Sequence, residues 1–408
     1  MLKTNINAAY EDFECVLKYL MHKHIPMKSI SSRKVQKPWL TRELKAQYRK
    51  LKKMYTHQKR TSNPKDRLNY RELRSKVQRL ERQNYWKYVE NIIEEDPDDI
   101  SRANERPSKQ KKFWNYIKSL RKDNSGIAPL KENGKIYADP IDKANILNRQ
   151  YASVFTHEDQ GNIPSIQGNP FPSMPAINIS QEGVMKLLKK LNLQKATGPD
   201  GISARILKDL SEDCSPYLTA IYRKCLHEGK LPNIWRTATV TAIFKKGKKY
   251  KPSNYRPVSL TCIICKLFEH ILVSNMMKHL DEHQILSDTQ HGFRARRSCE
   301  TQLLTLVDEL AQGLDKNKQH DLAVLDFSKA FDRVPHKRLL AKLHHYGIRG
   351  STLHCIEDFL NERSQRVVVD GFTSDSVPVV SGVPQGSVLG PVLFLLFKIG
   401  RASCRERV

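Results

Sequence analysis

With 408 residues, of which 39% are hydrophobic and 28% charged, the chain has the composition of a soluble globular protein with room for two or three domains. Lys and Arg number 70 against 43 Asp and Glu, a formal +27 that fits polyanionic partners, because each phosphate neutralised by a cation releases condensed counterions. No stretch is long and apolar enough to span a bilayer, the start lacks the basic-then-apolar layout of a signal peptide, and no strongly apolar amphipathic helix offers a membrane anchor.

Residues 1–35 form a segment with no assignment. A basic helical region is expected over 36–156. Leu40, Leu44, Tyr48, Leu51 and Tyr55 recur at spacings of three and four, with Arg42, Lys45, Arg49, Lys50, Lys52 and Lys53 on the other face. Ser62-Asn63-Pro64 interrupts this pattern and suits the start of a second helix, striped by Leu68, Leu73, Val77, Leu80 and Tyr85. The pair reads as a helical hairpin whose charge is either a solvated face or a nucleic-acid contact. Glu94 to Asp99 reads as a turn, and Phe113, Trp114, Ile117 and Leu120 as a further short helix. Residues 157–178 are rich in Pro, Gly, Asn and Ser and read as a flexible linker.

A different pattern occupies 179–397. Ser180 opens a helix through Leu191, Gly198-Pro199-Asp200-Gly201 is a tight turn, and Ser203 caps the next helix. Another helix follows Pro216 and ends at Gly229. Thr237 to Phe244 alternates like a strand and leads into a basic loop, Lys245 to Lys251. Leu260 to His283 reads as a helix, and Leu322 to Asp326 as a short apolar strand ending in a carboxylate. Two helices are expected between Pro335 and Glu362, then paired strands at Arg366–Asp370 and Val377–Val380, a Gly-rich loop over 382–390, and an apolar helix from Val392 to Phe397. This mixture suggests an α+β domain with a small antiparallel sheet. The eight cysteines suit a reducing compartment, and Cys262 and Cys265 read as buried thiols because no second pair follows at zinc spacing.

Three segments carry chemistry. In LAVLDFSKAFDRVPH, Asp326 offers a carboxylate for a hard cation such as Mg²⁺, although an Asp at a strand end is more often a cap. In SGVPQGSVLGP, the glycines permit close backbone approach and Gln385 both donates and accepts, or the segment is simply a strand-to-helix turn. The cations Lys245, Lys246 and Arg256, and further on Arg294, Arg296 and Arg297, suit phosphate, or are exposed basic loops.

Taken together, KATGPDGISARILKD, NYRPVSLTCIICKLFEHIL, QHGFRARRSCETQLL, DFSKAFDRVPH and SGVPQGSVLGPVLFLLF resemble, in order, the reverse transcriptase domain of LINE-type (non-LTR) retrotransposons. More loosely, KPWLTRELKAQYRKLKKMY resembles the basic segment between endonuclease and polymerase in these elements. The resemblance implies the fingers and part of the palm of a right-hand polymerase over 179–397. It implies an RNA-directed DNA polymerase that uses an RNA template, a primer in target DNA, dNTPs and two Mg²⁺ ions (Mn²⁺ as a substitute), in the nucleus and cytoplasm. Asp326 matches the first metal ligand of the palm. Phe331 matches the aromatic under the sugar that excludes a 2′-hydroxyl. Gln385 and Gly386 match the loop lining the dNTP pocket, Lys245 and Arg256 the cations that hold the triphosphate, and Arg294 a template or phosphate contact. Asp332 is treated as structural, capping the helix after the turn.

The family's Tyr-Ala-Asp-Asp motif, which supplies the remaining catalytic carboxylates, does not occur. The tail 398–408 departs from the family pattern, and its back-translation resembles a sequencing-library adapter; a frameshift or a degenerate genomic copy is the alternative. The expectation is a fragment without polymerase activity, with a non-enzymatic RNA- or DNA-binding protein as the competing reading.

Overall fold

The chain is described by a computed structural model covering residues 5–26, 37, 39–61, 63–93, 126–157, 163, 166, 168–324 and 326–398; these are the described residues. The turn expected at 94–99, the helix at 113–120 and the tail beyond Lys398 lie outside them. Two compact units form: Met1–Met21 with Ser125–Val408, and His22–Asn124.

The His22–Asn124 unit contains the expected helical hairpin. Helix α2 (Arg42–Thr61) is capped by Thr41, whose hydroxyl accepts from Leu44 N, and α3 (Pro64–Ile93) starts at a proline behind Asn63. Asn63 Oδ1 accepts from Lys65 N, satisfying a first-turn donor. Leu44 and Val77 are buried between the helices, and the Trp39 ring sits edge-on to Tyr85 at 5.1 Å. The stripes are therefore only partly covered: Tyr48, Tyr55 and Leu68 remain exposed.

Helix α1 (Ile6–His24), in the segment that composition left unassigned, belongs to the larger unit as far as Met21. Its Ile6, Tyr10 and Leu17 are buried, spaced by four and seven on one helical face. Tyr10 meets Trp235 edge-on at 5.4 Å, and Trp235 packs against Tyr222 and Phe268 as well. The Tyr10 hydroxyl donates to the buried carboxylate of Asp200 at 3.2 Å.

Residues 130–152 also belong to this unit, although composition grouped them with the basic helical region. A hairpin of β1 (Leu130–Glu132) and β2 (Lys135–Tyr137) leads into α4 (Pro140–Ala152), capped by Asp139. Ala144, Leu147 and Tyr151 of α4 pack on the sheet at Val240, Val367 and Val369. The amide of Asn148 donates to Ser374 Oγ and Asp375 O, and its own oxygen accepts from Gln365.

Helices α5 (Gln181–Lys189), α6 (Ala204–Asp209) and α7 (Ser211–Glu228) follow, with Ser180 and Ser203 as the expected caps and Gly229 left-handed at the end of α7. The sheet joins β3 (Thr237–Phe244), β4 (Tyr255–Leu260), β5 (Arg363–Val369), β6 (Phe372–Thr373) and β7 (Val377–Val379) in the order β4-β3-β5-β6, with β7 also on β5. The expected antiparallel sheet is in fact mixed. The β3–β5 pair is parallel, because helices α8 (Ile263–Glu282), α9 (Cys299–Asp315), α10 (His336–His345) and α11 (Gly350–Leu360) intervene between those strands. β4 lies mostly in residues left without an assignment; it takes in Leu260, and the helix expected from Leu260 begins at Ile263. Helix α12 (Leu389–Lys398) is the last element among the described residues.

The strand expected at Leu322–Asp326 does not form among the described residues. Residues 321–324 join no ladder, and Leu322 and Val324 are exposed. Helix α9 likewise presents Leu303, Leu304, Val307 and Leu314 to solvent. No described helix is long and apolar enough to cross a membrane.

The Gly198 turn packs directly on the start of α8, where an added Cβ would lie 2.6 Å from Cys262 Cα. We expect Gly198→Ala to destabilise the unit by about 1–3 kcal/mol, read as a lower urea midpoint with unchanged slope. An unaltered midpoint would show that this turn yields.

Candidate active site

The Gly-rich loop Ser381–Val388 is held from two sides. On one side Ser259 of β4 donates its amide to Gln385 O at 2.7 Å. On the other is a 3-10 turn, Ala330–Arg333, from which Phe331 O accepts from Val383 N at 2.8 Å and Asp332 O accepts from Ser381 Oγ at 2.8 Å. Two glycines make this clamp fit. Gly386 has φ +116°, and a Cβ there would stand 2.5 Å from Ser259 O; Gly382 has φ +87°, and a Cβ there would stand 2.6 Å from Phe331 O. The close approach that the glycines permit is therefore first to the chain's own backbone.

Side chains complete the bridge. Gln385 Oε1 accepts from Arg256 Nε at 2.9 Å, and its Nε2 donates to Asp332 Oδ1 at 2.9 Å. The amide expected to donate and accept does both, toward protein partners. The Arg256 guanidinium is exposed and keeps its remaining N–H groups free of partners among the described residues. Asp332 Oδ2 is enclosed without a partner among the described residues, as are Tyr151 OH and Arg363 Nη2; all three residues line one small cavity behind the loop. Burial pushes the Asp332 carboxyl up, against the opposing pull of Gln385, Lys329, Arg256 and Arg333. Asp332 does not cap the following helix: α10 starts behind Pro335 with no side-chain cap, because the carboxylate is taken up across the loop by Gln385.

The loop's far end is fixed by Glu269 of α8. Its Oε2 accepts from Val388 N at 2.7 Å and Leu389 N at 2.8 Å, the first amides of α12, and Cys265 Sγ lies 3.5 Å from Oε1. Burial pushes this carboxyl up while those amides, Arg363 and Lys266 pull it down. Cys262 and Cys265 are both buried thiols. Helix α12 places Phe394 in a stack with Phe331, centroids 4.6 Å apart, and Phe293 meets Phe331 edge-on at 5.9 Å.

The other expected residues are distributed unevenly. Lys245 extends the β3–β4 ladder by one bond, from its amide to Asn254 O, so alternation places it on the same face as Ile243, the register partner of Arg256. Arg294 is tied to Ser287 O, Asp281 and Asp288, and Arg297 to Asp288. Arg296 between them is exposed, at φ +60°, and partnered by no described residue. Asp326 is exposed and likewise partnered by no described residue.

As a monodentate oxygen donor Asp326 suits a divalent cation, but among the described residues no group of three His, Cys, Asp or Glu side chains converges. Sequence reading missed Glu269 and the Asp332–Gln385 bridge. The signal for Glu269 was one acidic residue inside the apolar run ICKLFEHIL.

Residues 243–398 match the family described as reverse transcriptase (RNA-dependent DNA polymerase). The chain is 30% identical over 302 residues to a probable RNA-directed DNA polymerase from transposon BS of Drosophila melanogaster, covering 70% of this chain and 32% of that protein. It is 33% identical over 231 residues to the RNA-directed DNA polymerase from mobile element jockey of the same species, covering 56% and 25%. With the probable polymerase from transposon X-element it shares 29% over 225 residues, covering 55% and 25%. The chain thus spans a third or less of the length of these relatives.

Two outcomes follow from the buried carboxylates. Glu269→Ala strands two amides at the α12 start, and we expect a loss of about 2–4 kcal/mol in urea unfolding. Asp332 has a raised folded pKa, so its contribution to stability is complete below the ordinary aspartate range and is lost as pH rises through the folded value. Asp332→Asn should therefore be more stable than the wild type at neutral pH, with the difference closing in acid; a pH-independent difference would contradict this.

Proposed function

Because this chain carries a reverse transcriptase domain of the LINE (non-LTR retrotransposon) type, we propose that it is built for RNA-templated DNA synthesis, in which a primer 3′-hydroxyl attacks the α-phosphate of a dNTP. The observation that carries this reading is the Arg256–Gln385–Asp332 bridge beside Phe331. Gln385 fixes the guanidinium by one nitrogen and leaves the fork free for a triphosphate, with Lys245 adding a point charge on the same face. Phe331, braced by Phe394 and Phe293, presents a fixed ring at which a 2′-hydroxyl would be excluded. Arg296 is the cation of its loop left for template or primer phosphate, while Arg294 and Arg297 brace the loop. Asp326 would hold one divalent ion, and the chemistry those ions supply is activation of the attacking oxygen and stabilisation of pyrophosphate.

For these 408 residues alone we propose nucleic-acid binding without polymerisation, since Asp326 is the one matched metal ligand. In primer extension on an RNA template with Mg²⁺, the chain should bind in a salt-dependent manner and extend nothing. Extension that vanishes with Asp326→Ala would overturn the inactivity. The polymerase reading is tested by exchanging residues 243–398 into the jockey polymerase. The chimera should extend with dNTPs, lose extension with Asp326→Ala, and accept ribonucleotides with Phe331→Val. A folded chimera that extends nothing would sink it.

A further inference from the structure

We propose that the turn end of the α2–α3 hairpin is a binding site for single-stranded RNA. This site lies outside the stretch that matches the polymerase family and does not depend on the polymerase reading.

Residues 42–93 contain sixteen Lys and Arg against five Asp and Glu, more cations than local carboxylates can pair. Near the turn the helices leave a cleft lined by Tyr55, Gln58, Lys59, Asn63, Arg67 and Arg71. Lys59, Arg67 and Arg71 are exposed, and their side chains engage no carboxylate among the described residues. Arg67 and Arg71 are one helical turn apart, about 6 Å along the axis, and so share a face. Tyr55 is 47% exposed, and its ring lies 5.5 Å from that of half-buried Tyr70. A ring held from one side loses little freedom when a base stacks on the other.

Aromatic faces interleaved with unpaired cations are what a single strand requires, since its bases are free to stack while its phosphates take the charge. Duplex DNA offers no such base faces. Gln58 and Asn63 add neutral amide groups that suit a 2′-hydroxyl, which favours RNA over DNA. A lipid surface fits poorly, because Tyr55 and Leu68 are the large apolar side chains exposed at this end.

The test uses the full chain with an unstructured, fluorescently labelled RNA oligonucleotide carrying 4-thiouridine. Photocrosslinking should place the RNA on the peptide containing Tyr55. Tyr55→Leu should weaken anisotropy-measured affinity roughly five- to 150-fold, the loss of one stacked base, while Tyr55→Phe binds like the wild type. Arg67→Gln with Arg71→Gln should lower the salt slope by about 1.4. Circular dichroism confirms that the helices persist. Crosslinks confined to residues 243–398 with Tyr55→Leu unchanged would overturn this site and leave the polymerase reading standing. Equal affinity for DNA of the same sequence, or binding to anionic vesicles that RNA does not displace, would also overturn it.

Discussion

Two backbone amides at the start of α12 donate to one fully buried carboxylate, Glu269, and the positions of the Gly-rich loop and of Phe331 both depend on that contact. A carboxylate away from water is costly unless its oxygens are satisfied. Here a helix N-terminus supplies donors and a favourable dipole, and Cys265 lies against the other oxygen. Helix α12 then brings Phe394 under Phe331, while the loop just upstream is clamped between β4 and the 3-10 turn. Three elements distant in sequence thereby acquire one geometry.

Much of this was legible beforehand. The β-branched alternation of Thr237 to Phe244 marked β3 over its full length, and the serine caps at 180 and 203 marked two helix starts. β4 was obscured because Tyr-Arg-Pro-Val-Ser-Leu holds a proline and lacks a clean alternation; its strand character comes from the partner, β3. The parallel β3–β5 pair could not be read at all, since register across more than a hundred residues leaves no local trace. The 322–326 segment has strand composition yet finds no ladder partner among the described residues. Among the site residues, the protein partners of the side chains were not legible in the sequence. Gln385 positions Arg256, and Asp332 anchors Gln385 instead of capping a helix.

The formal +27 is likewise unevenly available. Arg236, Arg294 and Arg297 are committed to nearby carboxylates, and Lys143 reaches Asp370 from a nearly buried position. Such pairs shape loops and helix junctions more than they attract partners. The uncommitted charge is what a polyanion would meet, and net charge computed from composition does not locate it.

The apolar side chains that α9 and residues 322–324 turn to water set the colloidal behaviour of this polypeptide. At low ionic strength its positive charge keeps copies apart. Near 0.1 M salt that repulsion is screened beyond about 10 Å, and Leu303, Val307 and Val324 are left free to find one another. Residues 321–324, in no ladder among the described residues, add backbone groups open to strand pairing between molecules. Ionic strength therefore pulls two ways on the same sample, loosening its hold on phosphate while drawing its copies together.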